Sequence, residues 1–169
     1  MFDHQGNRKY LNKKERRLFY NAVCNLDDIN ERAFCLTLFY CGCRLSEALN
    51  LRFSNIDPLE KQIVFKTLKQ KTNIRYRAVP VPPELLALLR KRNDQGKIWK
   101  FSKVTAWRIV KRCMIKAGLE GTKATPKGLR HGFAVACISA NIPITVVQRC
   151  LGHTDLKNTA IYLEIGGAE

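Results

Sequence analysis

The side chains best suited to chemistry in this sequence are a tyrosine, two arginines, two histidines and several lysines. Tyr162 follows His153 by nine residues, Arg130 and His131 are adjacent, and Arg44 sits within Gly42-Cys43-Arg44-Leu45-Ser46-Glu47. The chemistry these types suit is attack on an anion. A phosphodiester repels an incoming oxyanion unless cations neutralise its non-bridging oxygens. A guanidinium stays charged at working pH and binds phosphate with paired hydrogen bonds, so Arg44 and Arg130 suit a clamp that tightens as charge builds in a pentavalent transition state. A phenol titrates near 10 when free. Tyr162 must therefore lose its proton during attack or be acidified by nearby charge, a field that Arg44, Arg130 and His153 would supply. The departing oxygen needs a proton, which a lysine can donate. Each residue also has a plain structural reading: Arg44 as a surface ion-pair partner, His153 as a residue favoured at a helix C-terminus, and Tyr162 as a core aromatic.

These groups lie far apart along the chain, so the elements between them must bring them together. Asn12 with Glu15 resembles a capping box, and Leu18, Phe19, Ala22, Val23 and Leu26 follow at helical spacing. A second apolar helix is expected from about Glu31 to Tyr40, ended by Gly42, with a short third one over Leu45 to Leu49. Arg44 then falls at a junction. Gln62 to Leu68 and Tyr76 to Val81 are β-branched or aromatic runs that predict a hairpin. Pro82-Pro83 closes it, and Glu84 to Leu89 begins another helix. Val104 to Ala117 is amphipathic, Thr125-Pro126 caps a helix through Ala140, and Pro143 starts a short helix that Gly152 stops. A last helix is expected from about Asp155 to Glu164. The pattern is mainly α with one small antiparallel β-sheet, an α+β class, and composition marks no internal boundary.

The balance of charge narrows the partner. Thirty Lys and Arg against fourteen Asp and Glu leave +16 over 169 residues, an excess that favours a polyanion, nucleic acid first, over a neutral ligand. Seven cysteines are an odd number, and most fall in apolar helical patterns where Cys behaves as a small hydrophobe. Neither a disulfide framework nor a metal site is expected, because Cys41 and Cys43 have no answering Cys/His pair. The polar N-terminus and the lack of a long apolar run point to a soluble, reduced, cytoplasmic protein without a membrane.

Four segments together resemble the tyrosine recombinase, or phage integrase, family, from Tyr10-Leu11 to Tyr162. Gly42 to Leu49 is similar to its G-x-R-x-S-E-L box, and Thr125-Pro126-Lys127-Gly128-Leu129-Arg130-His131-Gly132 to its H-x-L-R-H box. Leu151-Gly152-His153 with Tyr162 is similar to its L-G-H box and nucleophile, and Leu68-Lys69-Gln70-Lys71 lies where the family carries a hairpin lysine. The resemblance implies a tyrosine recombinase catalytic-domain fold that cuts and rejoins double-stranded DNA without cofactor through a 3′-phosphotyrosyl intermediate. Tyr162 would be the nucleophile, with Arg44, Arg130, Lys127 and His153 around the phosphate and Lys69 as proton donor, Lys71 and Lys66 being its rivals. His131 and Glu47 would support the site. Arg44, Arg130, Lys71, Arg77, Lys103 and Arg108 would touch DNA.

The chain departs from the pattern in three places. Lys127 stands where the family usually has the histidine thought to help take the tyrosine proton. Only about ten residues precede the first helix, so the expectation is one catalytic domain over 1–169 with a flexible segment 1–10, no N-terminal core-binding domain, and a short tail at 165–169. A homo-oligomer on DNA, or a complex with a full-length recombinase, would then be the higher assembly. Two other functions fit the same residues: an integrase relic that binds DNA without cutting it, and a type IB topoisomerase that relaxes one duplex.

Overall fold

A computed structural model describes residues 1–67, 75–90 and 96–166. Helix α1 (Lys13–Cys24) opens with the expected capping box: the Asn12 side chain accepts from the Glu15 N–H, and the Glu15 carboxylate accepts from the Asn12 N–H. Helix α2 (Ile29–Cys41) starts at Asp28, whose carboxylate accepts from the Asn30 and Glu31 N–H groups. Most of its faces are apolar, and it runs through the middle of the larger core, packed on α1.

Gly42 ends α2 in the left-handed conformation at φ 56°, and a Cβ placed there would lie 2.2 Å from the Phe133 ring. Gly42→Ala should therefore lower stability by at least about 1–2 kcal/mol from backbone strain alone, with the ring clash adding to it. A urea midpoint within error of the native value would refute that reading.

Short α3 (Leu45–Leu49) follows, then a 3-10 turn (Phe53–Asn55) and a three-stranded antiparallel sheet in the order β1 (Ile56–Asp57), β2 (Gln62–Thr67), β3 (Arg75–Pro80). The hairpin matches expectation, with Phe65 opposite Arg77. Two-residue β1 was not foreseen, since a pair of residues is too short to show alternation. The remaining helices are α4 (Pro83–Arg90), α5 (Lys103–Lys116), α6 (Pro126–Ser139), α7 (Ile144–Leu151), α8 (Lys157–Ala160) and α9 (Leu163–Gly166). Helix α6 begins as expected, with Pro126 in its first turn and the Thr125 hydroxyl accepting from the Gly128 N–H.

Two expectations about the ends change. The single last helix is broken into α8 and α9, because the Tyr162 N–H bonds to Thr159 O, three residues back, and the tightened turn points the phenol inward. Residues 1–10 do not run free of the fold. Asp3 accepts from the N–H groups of Gln5 and Asn7, Phe2 pairs with Arg8, and Tyr10 and Leu11 are buried. Likewise Ile165, expected in the tail, is core, while 167–169 lie outside the described residues.

Two clusters of buried side chains result. The larger joins α1 to α5 and the sheet; the smaller, built by Tyr10, Phe133 to Val135, Val147, Leu151, Tyr162 and Ile165, joins α6, α7 and the chain end. Cysteines contribute as small apolar groups: all seven are free thiols and four are buried. No helix among the described residues is long and apolar enough to cross a membrane.

Candidate active site

A cleft of about 670 Å³ opens between the two clusters, and its lining includes Arg44, Lys127, Arg130, His131, His153 and Tyr162. Arg44 caps α3 from an extended backbone, half-exposed, while the Glu47 carboxylate accepts from both its N–H (2.8 Å) and its guanidinium (2.9 Å). The junction left by the Gly42 turn thus aims Arg44 into the cleft. Arg130 lies one turn into α6 and is buried. Its Nη1 donates to Gly42 O (2.7 Å), and its Nη2 donates to Leu151 O (2.8 Å) and to His153 Nε2 (3.1 Å). One guanidinium therefore ties together the ends of α2 and α7 while lining the cleft between them.

Because an arginine only donates, His153 Nε2 must accept, which places the ring hydrogen on Nδ1, 2.9 Å from Thr159 Oγ1. His153 thereby holds α8 against Arg130. Burial, then the charges of Arg44 and Arg77, lower Arg130 to about 10, which still leaves it a cation at neutral pH.

Tyr162 is the largest fully buried side chain among the described residues, so the core-aromatic reading is half right, and its hydroxyl sits 2.7 Å from His131 Nδ1. Of the two routes expected for its proton, prior acidification by the surrounding charge is not the one seen. Burial raises the phenol above its ordinary value and outweighs the opposing Arg130 and Arg44 charges. The field of these arginines does not ionise Tyr162. His131 is pushed down to about 4, first by burial and then by Lys127, Arg130, His153 and Lys9, so its imidazole is neutral. Lys127, on the first turn of α6, is exposed at the cleft mouth.

Arg77 corrects an expectation. Rather than standing exposed at the surface, its guanidinium is buried and pairs with Glu47 at 2.7 Å, donates from Nε to Cys150 O at 2.8 Å, and covers the Phe65 ring. The inward-facing position opposite Phe65, on a strand packed against α7, keeps it largely out of solvent. Gly152, left-handed at φ 68°, lies against it, where a Cβ would meet the guanidinium at 2.9 Å. Glu47 is thus the hub of a brace linking Arg44, the hairpin and the turn that carries His153.

Lys103 and Arg108 are exposed on α5, but neither lines this cleft; Lys103 borders a separate hollow with Ser46, Lys97 and Lys100. Lys66 is exposed on β2, and Lys69 and Lys71 lie outside the described residues. Trp107 went unnoticed in the sequence, yet it is 45% exposed and lines the cleft. An aromatic on the polar face of amphipathic α5 was the available signal. The contact between His131 and Tyr162, thirty-one positions apart, had none.

A small antiparallel sheet set among helices, with two arginines and a tyrosine meeting in one cleft, is the architecture of tyrosine recombinase catalytic domains. The fold superposes on the crystal structure of XerA recombinase with a TM-score of 0.78 (26% identical, 92% of this chain, 60% of that one). It also superposes on the catalytic domain of bacteriophage HP1 integrase with a TM-score of 0.70 (23% identical, 92% and 86%). The chain belongs to the phage integrase family, which it matches over residues 9–166. It is 35% identical over 153 residues to the tyrosine recombinase XerA of Pyrococcus furiosus, a match spanning 82% of this chain and 51% of that protein. A tyrosine recombinase of Thermosipho africanus is 30% identical over 173 residues, 95% of this chain and 58% of the relative. The chain thus spans little more than half the length of these relatives.

Proposed function

We propose that this domain cuts and rejoins double-stranded DNA as a site-specific recombinase. The Tyr162 oxygen attacks a backbone phosphorus, a phosphorus–tyrosine bond forms at the 3′ end, and the bond to the 5′ oxygen breaks. Attack by a 5′ hydroxyl then reverses these bonds, so no high-energy cofactor is consumed. Arg44 and Arg130 hold the non-bridging oxygens, and Lys127 adds charge at the cleft mouth. Lys69, beyond β2, gives a proton to the departing oxygen, with Lys71 and Lys66 as the other lysines of that hairpin. His153 holds Arg130 in place, and Lys103 and Arg108 on α5 contact the backbone of flanking DNA. A homo-oligomer on DNA, or pairing with a full-length recombinase, would supply the second duplex.

The carrying observation is that Tyr162 shares a cleft with Arg44 and Arg130, which come from segments 118 and 32 positions upstream. A +16 net charge supports a polyanionic partner, and family membership supports the reaction class.

The test uses a pool of nicked duplexes of randomised sequence, incubated with the native chain and with Tyr162→Phe. Covalent adducts that survive denaturation are recovered, and sequencing them identifies the target. The native chain is expected to yield adducts and the variant none. DNA retained in gel shifts, with no adduct from the native chain anywhere in the pool, would instead favour a binding protein, and relaxation of supercoils without recombinant products a topoisomerase.

A further inference from the structure

We infer that His131, not Lys127, takes the proton of Tyr162 as the phosphate is attacked, and returns it when the strand is rejoined. This rests on the strand-cutting reading above and assigns the one proton transfer that reading leaves open. His131 Nδ1 is 2.7 Å from the phenolic oxygen, within the range of a hydrogen bond between heavy atoms that exchange a proton. The two rings are tilted at 48° with centroids 5.8 Å apart, so the contact is edge-on through the nitrogen rather than stacked.

Other groups around the phenol are unsuited. Lys127 is an exposed ammonium, which has only hydrogens to offer. Arg44 and Arg130 are donors for the same reason. His153 accepts from Arg130 at Nε2 and directs its Nδ1 to Thr159. Glu47 is committed to Arg77 and Arg44. The remaining group described in contact with Tyr162 is a neutral imidazole, whose Nδ1 accepts from the hydroxyl when the ring hydrogen is on Nε2.

The step balances without a co-reactant. The Tyr162 O–H bond breaks, its proton goes to Nδ1, and its electron pair forms the bond to phosphorus. The 5′ oxygen leaves with the pair from the broken ester bond and a proton from the hairpin lysine. On rejoining, the 5′ hydroxyl gives its proton back to the hairpin lysine as its oxygen bonds phosphorus, and the departing tyrosyl oxygen takes its proton from the His131 imidazolium.

The same surroundings make the base dependent on substrate. Lys127 and Arg130 face His131 from α6, His153 from the turn after α7, and Lys9 from the segment before α1. Burial first, and then these neighbouring groups, push the imidazole down to about 4 and keep it neutral. A phosphate seated against Arg44 and Arg130 offsets that positive field, so His131 gains basicity when there is something to attack.

Two measurements test this. Inorganic phosphate or orthovanadate is titrated into the native protein and into Tyr162→Phe, while imidazole nitrogen shifts are followed by NMR across pH. The His131 titration is expected to move up when the oxyanion is present and to change when the phenol is removed. A His131 curve insensitive to both would overturn the assignment, whether or not the protein cuts DNA.

The second measurement is single-turnover cleavage of the site recovered from the pool, with an oxygen or a bridging sulfur at the 5′ position, since a thiolate leaves without a proton. His131→Ala and His131→Gln are each expected to slow cleavage about 10²-fold or more on both substrates, with part of the His131→Ala loss restored by added imidazole. Lys127→Ala should lose less. If sulfur restores His131→Ala, the histidine serves the leaving group instead; if His131→Gln cleaves at the native rate, it only positions the tyrosine. Either result defeats the proposal, and so does a larger loss in Lys127→Ala. Should the native chain yield no adduct at all, the strand-cutting reading fails and the NMR result judges the contact by itself.

Discussion

Glu47→Ala should unfold the protein more readily than any other single surface or cleft substitution considered above, by about 3–5 kcal/mol in chemical denaturation. Its carboxylate is fully buried against Arg77, whose side chain is only 4% exposed. Removing one partner leaves the other a buried charge without its counterion, and that desolvation is what makes the loss large. The exposed pair between Arg112 and Glu31 is the internal contrast; a half-exposed ion pair is worth about 0–1 kcal/mol. Arg44 also loses its anchor, so any residual DNA cleavage should fall with stability.

The pH dependence has a definite sign. Burial alone would raise the Glu47 carboxyl, but the bond to Arg77, the Arg77 charge and the Arg44 contacts together bring it below its ordinary 4.5. A depressed folded-state value contributes stability that is complete above the ordinary value and is lost as pH falls through the lowered one. Glu47→Gln, which cannot ionise, should therefore differ most from the native protein at neutral pH, and the gap should narrow below pH 4.5. A gap that stays constant from pH 7 into the acid range would mean that the Glu47 charge is not what the brace uses.

Arg130→Lys should reduce strand cleavage by about 10²–10³-fold, the effect of losing one preorganised donor to a developing oxyanion, while DNA retained in gel shifts changes far less. Lysine keeps the charge but has no planar fork, so it cannot bond Gly42 O, Leu151 O and His153 together while also facing a phosphate. Arg130→Ala should go further, leaving two buried carbonyls unsatisfied and loosening the joint between α2 and α7. Comparing the two variants separates chemistry from folding. A loss of DNA retention with the cleavage rate of bound complex unchanged would remove Arg130 from the transition state.

Much of the helical framework was legible because its signals are local. Asn12 and Glu15 bond across a single turn, Thr125 caps α6 three residues on, and Gly42 and Gly152 stop α2 and α7 by adopting a backbone that other residues resist. Such features need only the neighbouring few residues. The identity of the cleft residues was legible too, since charge type and order along the chain carry it. Local reasoning failed where two segments compete for one residue. The run through Tyr162 has helical spacing, yet the helix breaks after Ala160 and the phenol lies in the smaller core. Arg77 carries the same charge as Lys103, but its strand register points it inward onto Glu47 while Lys103 stays in solvent.

What the amino-acid order alone determined, then, is most of the helices, the hairpin, and the types and order of the cationic residues and tyrosine that the cleft brings together. Tertiary structure decided which cations face the cleft and which serve as internal braces, that the phenol is held protonated, and that His131 touches it. The division is physical: caps and periodicity depend on contacts within a few residues, whereas desolvation and pairing depend on segments that meet only after the core closes.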